Sequence, residues 1–184
     1  MSPSWKFVSD SRVIVVTPGE PAGIGPDIVV QMAQSKRTIP WLAICDADML
    51  IGRAKQLGLD LLVKSDLDSP SSEAGQLTVL HVPLAKRVRS GILDVANAEG
   101  VIRSLDIALE GCLINRYEAL VTGPVQKSVI NDSGMSFSGH TEYFAEKSGV
   151  DEVVMLLVCR DMRVALATTH IPLSLVSETI SKAL

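Results

Sequence analysis

Val13-Ile14-Val15-Val16 is a β-branched run, and a loop dense in glycine and proline, Thr17 to Gly25, follows it directly. β-Branched side chains pack well on a pleated surface, and an unbroken apolar run leaves neither face for water, so the run predicts a buried strand. Pro26 suits the first position of a helix, and Asp27 its first turn, where the helix dipole favours negative charge. Strand, tight loop and helix in immediate succession point to the α/β class.

The rest of the chain repeats the alternation. Ile28, Val29, Met32 and Ala33 give the first helix an apolar side. Trp41 to Cys45 reads as a second strand, and Asp48 to Leu57 as a helix ended by Gly58. Ser65 to Gly75, rich in Ser, Asp and Pro, is an exposed loop, and Leu77 to Val82 a third strand. Val101, Ile102, Leu105, Ala108, Leu109, Cys112 and Leu113 recur on one face of a long helix, with Asn97 as its cap. Ala119-Leu120-Val121 begins another strand, followed by a long polar loop to His140. Thr141 to Ser148 is a short helix stopped by Gly149. Val153–Val158 and Arg163–Ala167, joined by a turn near Arg160-Asp161, predict an antiparallel hairpin. Ser174 opens a last helix, which the pattern carries to Leu184. The expectation is α/β, with a parallel core sheet and an antiparallel addition.

Composition narrows the function. The 184 residues suit one large domain or two small ones, with a core that needs no disulfide or metal. Hydrophobic residues are 47% and charged residues 21%, as in globular proteins. Lys plus Arg number 17 against 21 Asp plus Glu, a net charge of -4, so no overall basic field exists to hold nucleic acid. Few aromatic residues (Trp 2, Tyr 2, Phe 3) argue against stacking on bases. The N-terminus lacks the pattern of a signal peptide, and the longest apolar run, Val153 to Cys159, is too short to cross a bilayer. Cys45, Cys112 and Cys159 are odd in number, widely spaced and set in apolar stretches. All three read as buried thiols of a reduced, cytoplasmic protein.

Four places carry candidate chemistry. The loop from Thr17 to Pro26 is either a tight structural turn or an anion loop at a helix N-terminus. It matches neither G-x-G-x-x-G nor the P-loop. Lys127 follows a strand, in Thr122-Gly123-Pro124-Val125-Gln126-Lys127, and is either a cation for a phosphate or carboxylate or an exposed helix-start lysine. Ser138-Gly139-His140-Thr141-Glu142 sets imidazole, hydroxyl and carboxylate side by side at a loop-to-helix junction. His140 there suits phosphate binding or acid–base work, against the alternative of a surface histidine. Gly134-Met135-Ser136-Phe137-Ser138 lacks the closing glycine of a hydrolase elbow. His170, at the end of a strand, is either a metal ligand or a structural histidine, and spacing reveals no partner set for a metal. His81, inside a strand, reads as structural.

Together these segments resemble one family. Thr17 to Asp27, Thr122 to Lys127 with Val129-Ile130-Asn131-Asp132, Gly139 to Glu142, and Val164 to His170 stand in the order and spacing of the 4-hydroxythreonine-4-phosphate dehydrogenase (PdxA) family. The resemblance covers nearly the whole chain from Val13 onward. It implies a three-layer α/β/α fold like that of isocitrate and isopropylmalate dehydrogenases, truncated here. Residues 1–115 would form a first α/β segment, 116–184 would begin the segment carrying cleft residues, and a C-terminal part would be absent. It implies NAD as cofactor, and a divalent metal held by three histidines: zinc, with magnesium or cobalt as alternatives. The partners implied are 4-phosphooxy-L-threonine as substrate and a second subunit in a homodimer with a shared active site, with neither nucleic acid nor membrane. The product would be 3-amino-2-oxopropyl phosphate, on the route to pyridoxal phosphate. Carried over by motif, His140 and Thr141 bind substrate, His170 is the first metal ligand, and Lys127, matching a lysine in a cleft-facing loop, is the catalytic residue. No NAD contact is assigned. Two alternatives accompany this reading: a non-catalytic fragment acting in dimerisation, and a phosphate-ester binding module.

Overall fold

The structure is a computed structural model that describes residues 13–151, 153–169 and 171–181. They fall into two compact units, one up to Phe137 and the other from Ser138.

The first unit is built on five parallel strands: β1 (Ile14–Thr17), β2 (Trp41–Cys45), β3 (Leu62–Lys64), β4 (Gln76–His81) and β5 (Ala119–Thr122). Their spatial order is β3-β4-β2-β1-β5, with Ile14 level with Trp41 on one side and with Ala119 on the other. Between them run α1 (Gly25–Met32), α2 (Ala47–Gln56) and α3 (Ala98–Leu113), and α4 (Lys127–Asp132) follows β5. Alternation along the strands fills two cores. Val16, Ala43, Cys45, Leu77 and Val79 share one with Val29, Val30 and Ala33 of the α1 segment and Leu50 and Ala54 of α2. Val15, Leu42 and Ile44 share the other with Ala108 of α3 and with Tyr117. Coverage of both faces explains why β1 and β2 are apolar without a polar alternate. This is the parallel α/β core that the sequence pattern predicts, in the three-layer α/β/α arrangement that the family resemblance implies.

Several local expectations are corrected. Only part of the expected apolar side of α1 is buried: Val29 and Ala33 are, with Val30, while Ile28 and Met32 face solvent. β3 is an addition, because Leu62 and Lys64 are exposed, only Val63 is partly buried, and the segment lacks a strand pattern; pairing with β4 recruits it. Asn97 does not cap α3 with its side chain. It lies in helical backbone at the end of a 3-10 turn, Val95–Asn97, and its Oδ1 accepts the Lys86 N–H at 2.8 Å. Asp94 caps that turn instead, accepting the Ala96 N–H at 3.0 Å. The expected loop after β5 contains α4, whose Val129 and Ile130 are buried. An apolar pair on a six-residue helix is too short a signal to declare it.

One side chain fixes the loop before β4. The buried Arg37 donates from Nη2 to the carbonyls of Ser71 (2.9 Å), Glu73 (3.3 Å) and Gln76 (2.7 Å), and from Nη1 to Ala33 (3.2 Å). Burial lowers its pKa below the ordinary arginine value, partly offset by the Glu73 charge.

The second unit holds α5 (His140–Ser148), the strands β6 (Leu156–Cys159) and β7 (Met162–Ala165), and α6 (Leu173–Thr179). Gly149 closes α5 in the left-handed region at φ 68°, as the sequence indicates. The hairpin is antiparallel, with Leu157 opposite Val164 and Cys159 opposite Met162. Ile180 is already extended, so α6 closes at Thr179 instead of running to Leu184. Cys45 is buried and Cys112 half-buried, but Cys159 is exposed, contrary to the reading of three buried thiols. No helix among the described residues is long and apolar enough to cross a membrane.

Every residue of β6 and β7 is exposed, including Leu156, Leu157, Val158, Met162 and Val164. A contiguous apolar patch of this kind associates or aggregates in water. The chain is therefore expected to bind a hydrophobic dye and to show a sedimentation coefficient that rises with concentration. Replacing the facing pair by Leu157→Lys with Val164→Glu keeps a favourable cross-strand pair and should suppress both effects. A monodisperse monomer that binds no dye would overturn this expectation.

Candidate functional site

The carboxyl ends of β1 and β5 lie side by side, and their outgoing loops are folded onto each other. Thr17 Oγ1 donates to Thr122 Oγ1 at 2.9 Å, and Thr122 Oγ1 donates in turn to the Gly123 carbonyl at 3.1 Å. The Glu20 N–H donates to the Pro124 carbonyl at 2.8 Å, and the Gly123 N–H to the Thr17 carbonyl at 2.7 Å. Backbone contact this close excludes side chains. Gly19 has φ +81°, and a Cβ there would stand 2.3 Å from the Pro124 carbonyl oxygen. A Cβ on Gly25 would stand 1.7 Å from the Pro18 carbonyl oxygen. Gly19 thus permits the packing of one loop on the other, and Gly25 the closure of its own loop onto Pro18, a structural role for both.

A buried arginine holds the loop from outside. Arg53 of α2 donates from Nη1 to the Gly23 carbonyl and from Nη2 to the Pro21 carbonyl, both at 2.9 Å. Its Nη1 also pairs with Asp27 Oδ2 in the first turn of α1. Sequence reasoning passed over Arg53, although a signal existed. Leu50, Arg53 and Ala54 stand at i, i+3 and i+4, so a cation occupies a core-facing register. A planar fork that donates in several directions suits such a place, and lysine does not.

The residues singled out in the sequence fall in both units. Lys127 is exposed and opens α4 in the first unit. Asn131 shapes the turn that follows: its Oδ1 accepts the Phe137 N–H at 2.8 Å and its Nδ2 donates to the Phe137 carbonyl at 3.2 Å. His140 and Thr141, both half-buried, are neighbours in the first turn of α5 in the second unit. The His140 ring centroid lies 5.8 Å from that of Phe144, one helical turn on. N–H groups in a first helical turn have no partner within the helix, so this turn presents donors beside an imidazole and a hydroxyl. His170 lies outside the described residues. His81, at the end of β4, accepts the Ala47 N–H on Nδ1 at 3.1 Å, a structural cap on α2. Among the described residues no three His, Cys, Asp or Glu side chains come together to hold a metal.

A parallel sheet covered by helices on both faces, with its Gly/Pro loops at the strand ends, defines a doubly wound α/β/α protein. The family model for the pyridoxal phosphate biosynthetic protein PdxA matches residues 37–184, and the chain belongs to that family. The 4-hydroxythreonine-4-phosphate dehydrogenase of Saccharophagus degradans is 49% identical over 178 residues, covering 96% of this chain and 53% of the relative. That of Chromobacterium violaceum is 48% identical over 172 residues, covering 94% of this chain and 52% of the relative. A crystal structure of a 4-hydroxythreonine-4-phosphate dehydrogenase from Burkholderia phymatum superposes with a TM-score of 0.80 at 28% identity, over 89% of this chain and 52% of that one. The chain spans about half the length of the curated relatives it matches.

Two expectations follow from the loop. Arg53→Ala leaves the Asp27 carboxylate and two carbonyls without their donor and should destabilise the chain by about 3 kcal/mol in urea unfolding. Adding Asp27→Asn should then cost far less than it does in the wild-type background, and full additivity would show that the pair does not couple. The second concerns Glu20. Burial raises its carboxyl above the ordinary value, against the opposing Ala22 N–H bond. The folded value exceeds the unfolded one. The penalty is therefore absent below the unfolded value, builds as pH rises toward the folded value, and is complete above it. Glu20→Gln keeps an acceptor for Ala22 and should melt higher than wild type at neutral pH, with the difference vanishing near about pH 3. An equal gain at both pH values would refute this.

Proposed function

We propose that this chain supplies the N-terminal part of an enzyme that oxidises 4-phosphooxy-L-threonine with NAD. The β-keto acid formed loses carbon dioxide to give 3-amino-2-oxopropyl phosphate. The observation that carries the reading is membership in the PdxA family together with 49% identity to a 4-hydroxythreonine-4-phosphate dehydrogenase over 178 residues. Within it, His140 and Thr141 bind the substrate. Their place at the start of α5 supports this: an imidazole, a hydroxyl and the first-turn N–H groups together suit a polar, anionic ligand. Lys127, exposed at the head of α4, brings a positive charge to the same chemistry. His170 is proposed as one metal ligand.

The described residues do not by themselves make a metal centre, since no ligand cluster forms among them. NAD, when bound, accepts the hydride, and what this chain contributes is orientation and charge at the substrate. One histidine does not retain a divalent metal, because affinity comes from several ligands acting together. We therefore propose that the 184-residue chain alone does not turn over, and that the active form is a cytoplasmic homodimer whose remaining ligands come from sequence of the kind its relatives carry beyond the matched half.

A chimera tests this. Residues 13–184 replace the matching half of the Saccharophagus degradans relative, and NADH formation from 4-phosphooxy-L-threonine is followed by absorbance. The chimera should turn over and the 184-residue chain should not. His140→Ala in the chimera should lower kcat/KM by about a hundredfold, the scale of one positioned acid–base or charge-stabilising group. A folded chimera without activity, or one indifferent to His140→Ala, would sink the assignment.

A further inference from the structure

A concavity in the first unit lies outside the carboxyl ends of β2 and β4. It is a cleft of about 690 Å³ between α2 and the loop Leu84–Ser90. Its position follows from the winding of the sheet. β2 and β4 are hydrogen-bonded neighbours. The connection after β2 enters α2, packed on one face, and the connection after β4 leads to α3, packed on the other. Where adjacent parallel strands send their connections to opposite faces, the loops part and a crevice opens. A volume of this size matches that of small-molecule sites.

The walls are fixed. Asp46 uses one carboxylate oxygen to cap α2, accepting the Met49 N–H at 2.9 Å, and the other to accept the Leu84 N–H at 2.9 Å. Asn97 accepts the Lys86 N–H at 2.8 Å, and Ser90 Oγ donates to Gln56 Oε1 at 2.8 Å. The loop is thus tied down at its start, middle and end, on both sides of the cleft. Its lining is cationic. Arg53 is committed to the glycine loop, but Lys55, Lys86 and Arg87 remain. Lys86 has only a long contact with Asp94, at 3.6 Å. Lys55 and Arg87 have no side-chain partner among the described residues. The acidic groups that face them are Asp46, whose two oxygens are occupied by N–H donors, and Asp48. Met49 and Leu84 add apolar surface, and no aromatic ring lines the cleft.

We propose that this cleft binds a small organic phosphate. Lys55, Lys86 and Arg87 line one cleft and suit a multiply charged anion, the apolar wall suits a compact organic body, and the absence of aromatic rings from the lining argues against recognition by base stacking. Fixed walls reduce the ordering that binding requires. Nothing in this inference depends on the dehydrogenase reading, because it concerns binding by the chain alone.

The test is calorimetric titration of the 184-residue chain with ADP and with pyrophosphate, with adenosine as the uncharged control. ADP and pyrophosphate should bind and adenosine should not. Lys55→Glu and Arg87→Glu should each weaken binding by about tenfold or more. Lys64→Glu, on β3 and outside the cleft, should leave it unchanged. The neutral variants Lys55→Gln and Arg87→Gln, checked for an unaltered melt, give the same reading if a reversal unfolds the chain. Hydrogen exchange should show ADP protecting amides of residues 84–90. Failure of both anions to bind, equal weakening by Lys64→Glu, or protection confined to other segments would each overturn the proposal.

Discussion

The first unit depends on one buried cation. Arg53 sits on α2, yet its guanidinium is spent on another element: two carbonyls of the loop after β1 and the Asp27 carboxylate at the head of α1. A charge brought out of water needs this full set of partners, because a buried guanidinium with donors left over costs several kcal/mol. The loop in turn has no regular secondary structure to satisfy its carbonyls. Each side therefore meets the other's requirement, and the path of the loop is fixed by it. With the loop placed, Gly19 can lie against Pro124, and the strand ends of β1 and β5 are sealed to each other. The glycines permit this approach and Arg53 enforces it.

The alternation of strands and helices around a parallel sheet was legible because it rests on periodicity. Alternate residues of β1 and β2 go to two different cores, so an unbroken apolar run is the only pattern that fits. Elements that owe their existence to tertiary context were not legible. β3 is a short edge strand made by its pairing with β4, and α4 is a six-residue helix with two buried residues. Asn97 has the composition of a cap, but the Lys86 N–H competes for its side chain and wins, while Asp94 does the capping one turn earlier. Cys159 has apolar neighbours in sequence, yet both faces of its hairpin are open. Local composition says what a residue prefers, and the fold decides which partner arrives.

The candidate site shows the same division. His140 and Thr141 were visible as an unusual run of functional groups at a helix start, and the structure places them in the first turn of α5. The glycine loop was visible too, but its two readings could not be separated by spacing. The structural role of Gly19 shows only in its distance from a carbonyl more than a hundred residues away in the chain. Arg53 was the reverse case. Its register on α2 carried the signal, while its chemistry, a lone arginine in a helix, looked ordinary.

Charge gives the last instance of what a sum conceals. A net charge of -4 excludes an overall basic field, but a ligand meets the field of the groups around it, screened beyond about 10 Å at ordinary salt. Around the cleft beside α2 the acidic group nearest the loop, Asp46, has both oxygens occupied by N–H donors, whereas Lys55 and Arg87 have no such engagement. The same short helix therefore turns one cation inward to hold a loop and presents another to solvent at the mouth of a crevice. Arg53 and Lys55 are two residues apart, which on a helix sends them to different sides. The spacing of two basic residues on α2 thus separates a structural role from a free one, and the overall balance of charge registers neither.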